Sequence, residues 1–467
     1  SRDLDPAHLP NISSSSFVYV INAAAYVPYY AVGRLAGEFA SPDDVPEPAM
    51  LAMGVGTIAR PTVFLLGRLV TTLFSAANVI VVFLIGRKLF GRASIGLLAA
   101  VMLAVSPTAV AHSRYVTPDT YVTFFVSLAF LGAAHIYRDG RLAGYILTGA
   151  ALSCAASSKI SGVLVVLPWL TACIYRHGLK GLIHRHVFAA IVAAGLAFVV
   201  TTPYIFGNAQ TVINDILFEG RHYASGHAGM EGDSLAWYLN LMWLTSGVIY
   251  GLGAAEIGRG IFSRSRETLL LAVFPVAYFV FIASFPVRND RTFLPMAPFL
   301  FLLAAAFLAH GYDWARASRR AIVRQGSAPI LVGLFIASLI QPASVTVAEA
   351  VRLTTLDSRE TARVWIDTHL PAGARIAVES YAPYVDPTRY TVQGFGRLID
   401  HDPAWYVAQD FDYLIFSQGM FGRFYREPAK YPIEFSRYEE LFARFEAVAT
   451  FTDGGYEVRI VQTPAAP

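Results

Sequence analysis

Between Val63 and Pro342 the chain alternates long apolar runs with short polar hinges about ten times. Each run approaches the roughly 20 residues a helix needs to cross a bilayer core of about 30 Å. Spanning helices are expected near 63–86, 94–111, 120–137, 143–158, 160–175, 187–203, 236–255, 268–285, 294–311 and 328–343. The pair 143–158 and 160–175 is short for two full crossings. Residues 17–36, FVYVINAAAYVPYYAVGRLA, are apolar too, and Tyr19, Tyr26, Tyr29 and Tyr30 suit the headgroup level. They read as a helix lying in the outer interface, followed by a loop over 37–60 with Pro42, Pro46 and Pro48.

From about Asp357 the pattern changes. TARVWIDTHLPAGARIAVES reads as a helix, a turn at Pro371 to Gly373 and a strand, and DYLIFS and YEVRIVQT are further strands. The expected organisation is an outer loop with interfacial helices over 1–62, a membrane domain over 63–343 and a small α/β domain over 344–467. The fold class is therefore mainly α, a polytopic membrane protein of about ten spans with a C-terminal extracytoplasmic α/β domain.

Charge sets the sidedness. Arg87, Lys88, Arg92, Arg138, Arg141, Arg176, Lys180, Arg185, Arg259, Arg264, Arg266, Arg316, Arg319, Arg320 and Arg324 fall in every second hinge. The intervening hinges hold only Arg114, Lys159, Arg221, Arg288 and Arg291. The positive-inside rule makes the first set cytoplasmic and the second external. The last span then runs outward and leaves the tail outside.

Composition agrees. Charged residues make up 15% of the chain, against about 25% in soluble proteins, and the mean hydropathy is +0.49. The net charge of +3 is dispersed over hinges, which argues against a nucleic-acid partner. Cys154 and Cys173 lie inside apolar runs and read as packing residues. No basic, apolar leader opens the chain. Asn11-Ile12-Ser13 fits a glycosylation pattern too common to count.

The chemistry is sought among the few ionisable residues of the external hinges. In AHSRYVTPDTYVTFF, Asp119 opens a helix beside Arg114 and His112; it reads as a helix cap or as a functional acid. Lys159, in SSKISG, either snorkels to the interface or holds a lipid-linked phosphate. FPVRNDRTFLPMAP carries Arg288, Asp290 and Arg291, a local ion pair or a phosphate site. FEGRHYASGHAGMEGD holds Glu219, Arg221, His222, His227, Glu231 and Asp233. Its spacing matches no metal motif, so a substrate loop is the preferred reading. No metal site is assigned, although a divalent metal stays open as a cofactor.

Taken as an ordered set, RLVTTLFSAANVIVVFLIGRKLFG, SPTAVAHSRYVTPDTYVTFF, SSKISGVLVVLP and VRNDRTFLPMAPF resemble the polyprenol-phosphate-sugar-dependent glycosyltransferases, the superfamily of protein O-mannosyltransferases and lipid A aminoarabinose transferases. The resemblance implies a C-type glycosyltransferase membrane fold in the cell inner (plasma) membrane. It implies transfer of a sugar, with inversion, from a polyprenyl-phosphate carrier to a glycan, lipid or protein acceptor on the outer face. It places Asp119 as the catalytic acidic residue, with Arg114, Lys159, His222, Arg288 and Arg291 as substrate-binding residues and Lys159 and Arg291 as ligands of the carrier phosphate. Family members also have a first span followed by an acidic motif that supplies the catalytic base. DLDPAHLP resembles the stretch after that motif, and Asp3 and Asp5 align poorly with it. The expectation is an eleven-span protein of which this chain lacks the first helix. The competing class is a transporter or flippase of lipid-linked sugars, for which inverted repeats and midplane breaks would be the signs.

Overall fold

The structure is a computed structural model that describes residues 16–44, 62–203, 205–226 and 229–464. The expectations for Asp3, Asp5, Asn11, Pro46, Pro48 and His227 fall outside the described residues. The described chain forms two compact units, one of residues 16–32 with 63–347 and one of 33–44 with 348–464.

The first unit is helical throughout. It comprises α1 (Ser16–Leu35), α2 (Thr62–Phe90), α3 (Ala93–Ala104), α4 (Pro107–His112), α5 (Pro118–Asp139), α6 (Leu142–Ser158) and α7 (Val166–His177). It continues with α8 (Arg185–Thr201), α9 (Ile205–Ser225), α10 (Ser234–Ser263), α11 (Arg266–Ala283), α12 (Asp290–Phe293), α13 (Ala297–Arg316) and α14 (Ala321–Arg352). Every expected run is helical. Among the described residues six helices are long and apolar enough to cross a membrane, and α3, α6 and α8 are shorter apolar helices.

Two runs differ from the sequence reading. The run 94–111 is broken, because α3 ends at Ala104 and a new helix starts at Pro107. Proline cannot donate into a continuing helix, and Ser106 caps the new one through the Ala109 amide. Helix α10 is kinked at Ser246, whose φ of −159° leaves the helical region. Gln341 of α14 fills the gap. Its amide accepts from Gly247 N at 3.2 Å and donates to the Trp243 and Leu244 carbonyls at 2.8 and 3.0 Å. Backbone groups freed inside an apolar layer need such partners.

Helices α5, α6 and α8 lie close together. A methyl on Gly149 of α6 would lie 2.0 Å from the Ala190 carbonyl oxygen of α8, and one on Gly132 of α5 would lie 2.3 Å from Thr148 Oγ1 of α6. Small residues permit this approach where no hydrophobic force drives helices together in lipid. Leu65, Leu69, Leu73 and Ile80 of α2 and Leu196 and Val200 of α8 stay exposed, the pattern of a lipid-facing surface.

The hinges grouped by charge also meet in space. Lys88 pairs with Asp139 at 2.5 Å, Arg92 pairs with Asp313, and Arg138 pairs with Glu267 at 3.2 Å. Buried Glu256 accepts from Arg259 (2.6 Å) and Thr268 (2.7 Å), with His310 Nδ1 at 3.1 Å.

The second unit holds a five-stranded sheet of β1 (Arg375–Glu379), β2 (Thr391–Phe395), β3 (Tyr413–Ser417), β4 (Glu446–Phe451) and β5 (Val458–Gln462). The order is β2-β1-β3-β5-β4, with β1 parallel to β2 and β3 and with β5 antiparallel to β3 and β4. Ile376, Val378, Ile415 and Ile460 share a core with Ala362 and Ile366 of α15 (Ser358–His369). On the other face Ala377, Leu414, Phe416 and Val461 pack with α16 (Pro403–Ala408), α17 (Gln418–Arg426) and α18 (Pro432–Arg444). Burial of both faces explains why β1 and β3 read as near-continuous apolar runs. Glu379 is fully buried at the end of β1. It accepts from Leu398 N, Ser417 N and the Tyr438 hydroxyl. Burial outweighs these bonds and raises its pKa from 4.5 to about 8.

Two outcomes follow from these contacts. Gly149→Leu forces α6 from α8 and lowers stability by about 1–3 kcal/mol, readable as a fall in Tm of the detergent-solubilised chain. Glu379 stays protonated in the fold at pH values where an unfolded glutamate ionises, so its contribution is complete below 4.5 and is lost as pH rises toward about 8. Hydrogen exchange of β1 and β3 amides should quicken over that window beyond its intrinsic pH dependence, and Glu379→Gln should remove the excess.

Candidate active site

Asp119 occupies the first turn of α5, after Pro118 at the first helical position. Its side chain does not cap the helix; it turns to two cations. Lys159 Nζ lies 2.7 Å from Asp119 Oδ1, and Arg291 Nε lies 3.8 Å from Oδ2. Asp119 is 1% exposed. The three residues come from three hinges that the charge pattern assigned to one side, and they meet at one end of the helical unit.

Local structure sets each group. Lys159 stands in extended conformation between α6 and a 3₁₀ turn over Ile160–Val165, with its amide bonded to Ala155 O. Arg291 lies in the short helix α12, where Asn289 caps by accepting from Arg291 N at 3.1 Å. Burial opposes the charge on the Lys159 ammonium, but the Asp119 carboxylate more than compensates and holds its pKa above the usual lysine value.

These side chains line a cavity of about 390 Å³. Asp119, Lys159, Ser161, Arg291 and Thr292 form its polar wall, and Tyr223, Tyr238, Phe281 and Phe285 its aromatic wall. Tyr238 is fully buried and donates to Asn289 O at 3.3 Å. Arg291 Nε and Thr292 Oγ1 are buried without hydrogen-bond partners. Among the described lining residues Asp119 is the one carboxylate, so two cations face one acid beside unpaired polar atoms. That arrangement suits an anion with an uncharged portion held against aromatic faces.

The other candidates sit elsewhere. Arg114 is on the turn between α4 and α5, with its guanidinium 5.2 Å over the Tyr115 ring, and does not line the cavity. Arg288 donates to Glu231 O at 2.7 Å and to Met230 O at 3.3 Å, fastening two hinges together. His222 falls in α9, but its side chain lies outside the described residues. Among the described residues no group of three or more His, Cys, Asp or Glu is arranged to hold a metal. Tyr223, Tyr238 and Thr292 were missed in the sequence. None of the three carries a charge that would have marked it in an external hinge.

Residues 58–212 match the family model for dolichyl-phosphate-mannose-protein mannosyltransferases, about a third of the chain. No curated protein matches. Among solved structures, ArnT from Cupriavidus metallidurans bound to undecaprenyl phosphate is 15% identical, with 86% of this chain and 85% of that one covered, at a TM-score of 0.44. AglB from Archaeoglobus fulgidus, in complex with an inhibitory peptide and a dolichol-phosphate, is 11% identical, with 87% of this chain and 62% of that one covered, at a TM-score of 0.49. Similarity at that level adds no weight to the family match. Residues 58–212 thus carry the pattern of that family within a chain whose described residues hold six helices long and apolar enough to cross a membrane.

Arg288 should be separable from the cavity. Arg288→Ala leaves the Met230 and Glu231 carbonyls without these donors, at a cost of about 1–3 kcal/mol. Hydrogen exchange at Gly232 and Arg288, whose amides bond to Pro286 O and Met230 O, should quicken while the Asp119–Lys159 end stays protected.

Proposed function

We propose that Asp119, Lys159 and Arg291 form the centre at which a sugar leaves its polyprenyl-phosphate carrier. The observation that carries this reading is one buried carboxylate bridged by two cations on the polar wall of a 390 Å³ cavity. Before donor binds, Asp119 balances one of the two positive charges. A phosphodiester entering beside Lys159 and Arg291 brings a single negative charge and neutralises the second.

The acceptor hydroxyl or amine attacks the anomeric carbon from the face opposite the phosphate, which gives inversion. The bond from that carbon to the phosphate oxygen breaks, and its electron pair stays on the oxygen. Negative charge grows there, and Lys159 and Arg291 stabilise it. Asp119 takes the acceptor's proton, as a carboxylate with lone pairs in the cavity can do once the cations turn to the phosphate. Tyr223 and Tyr238 supply the wall for the sugar or the first isoprene unit.

The charge pattern supports placing this end of the helices on the outer face of the cell inner membrane, with residues 344–467 on that side. A lipid, a glycan or a protein then serves as acceptor. Arg114 and Arg288, which do not line the cavity, act at most on substrate outside it.

The test uses the purified chain in lipid nanodiscs, with radiolabelled polyprenyl-phosphate mannose or arabinose and a membrane-extract acceptor. Asp119→Asn and Arg291→Ala should each lower transfer about 100-fold or more. Lys159→Ala should do the same and also weaken donor binding, because removing one partner strands a buried charge. Wild-type rates in all three would remove the reaction from this cavity.

A further inference from the structure

We propose that His112, acting through Asp290, is the positioning residue that holds Arg291 against Asp119. This rests on the reading of Asp119 and Arg291 given above.

His112 ends α4 and is 7% exposed. Its carbonyl accepts from Thr120 Oγ1 at 3.1 Å, which ties it to the first turn of α5, one residue after Asp119. Its ring faces the other way, toward the hinge that carries Arg291. Nε2 lies 3.4 Å from Asp290 Oδ2. The other Asp290 oxygen, Oδ1, accepts from Arg291 N at 2.7 Å. The residues therefore close a ring: Asp119 and Thr120 in α5, His112 in α4, Asp290 and Arg291 in α12, and back to Asp119 across 3.8 Å.

His112 and Asp290 are 178 residues apart in the chain and meet here. Neither lines the cavity, so their contact joins the two hinges outside its wall. Arg291 needs such a hold because its Nε has no hydrogen-bond partner and its side chain is 42% exposed. Its aim is then set by where α12 lies, and α12 is four residues long. Asp290 divides its two oxygens between His112 and the Arg291 amide, so a shift of one moves the other. Neither His112 ring nitrogen makes a hydrogen bond among the described residues, and Nε2 is the one that faces a carboxylate, whose other oxygen accepts from the neighbouring residue's backbone. Imidazole suits the position because it gives an N–H to a carboxylate in either its neutral or its charged form.

The experiment is a double-mutant cycle on the full chain in nanodiscs, with donor concentration varied. His112→Ala should lower kcat/KM for transfer by about 10- to 100-fold, the scale of a misplacement of about 1 Å. His112→Gln, which keeps an N–H toward Asp290, should recover most of the loss. In an Arg291→Ala background, His112→Ala should cost less than about twofold more, because residues acting as one unit are not additive. Losses that multiply in the double variant would overturn the proposal, as would a wild-type His112→Ala beside an impaired Arg291→Ala. Full activity in Arg291→Ala would instead bring down the site reading itself. If His112→Ala does not fold, Asp290→Asn decides, since it keeps the shape and the amide bond but weakens the link: an unchanged rate overturns the proposal, and a loss rescued by no added stability supports it.

Discussion

An aspartate almost without solvent exposure, at one end of an apolar helical bundle and in contact with two cations, is the constraint on which the rest depends. Removing Asp119 from water is costly unless opposite charge lies beside it. Lys159 at 2.7 Å supplies that charge, and Arg291 adds a second at the edge of contact. Neither cation could be held so close to the other without the acid between them. The carboxylate thus keeps two positive charges assembled in a cavity while no anion occupies it. The same arrangement yields an acid free to take a proton once those charges have something else to bind.

The scaffold makes this convergence by close helix packing. Gly132 and Gly149 let α5, α6 and α8 approach until side chains of one helix would touch the backbone of the next. That approach brings the end of α6, where Lys159 sits, against the start of α5. Helix α13 is buried along most of its length, which seats α12 and Arg291 over the same point. Ion pairs among the hinges at the other end, from Lys88–Asp139 to Arg138–Glu267, tie neighbouring helices together. Ties at one end leave the other to carry a cavity.

The second unit obeys a different balance. Its strands are covered on both faces, and its sheet order places β1 and β3 side by side with their connections leaving in opposite directions. Glu379 ends β1 at that place, surrounded by donors and held neutral by burial. The membrane unit sets its buried acid beside two cations. The second unit surrounds its buried acid with hydrogen-bond donors and raises its pKa by burial.

Apolar length, hinge charge and turn residues were enough to find the long helices other than α9 (Ile205–Ser225), which read as part of an outer loop, the strands β1, β3 and β5, and the group of hinges that share an end. These features depend on local solvation free energy, which each segment carries with it. The break at Pro107 and the kink at Ser246 were not visible as such, because an apolar average passes over one proline or one non-helical residue. Nor could the chain distinguish Arg288 from Arg291, three residues apart in one hinge. One is bound to the Met230 and Glu231 carbonyls and the other reaches Asp119. Arg114 and Lys159 looked equally placed, and only Lys159 lines the cavity. Tyr223 and Tyr238 carried no signal, and nothing in the chain paired His112 with Asp290, though each was marked in its own hinge. The sequence by itself determined which side of a membrane each hinge prefers and which few ionisable groups were candidates. Only tertiary structure decided which of them touch, because that depends on distances between helices, and those are set by packing among residues far apart in the chain.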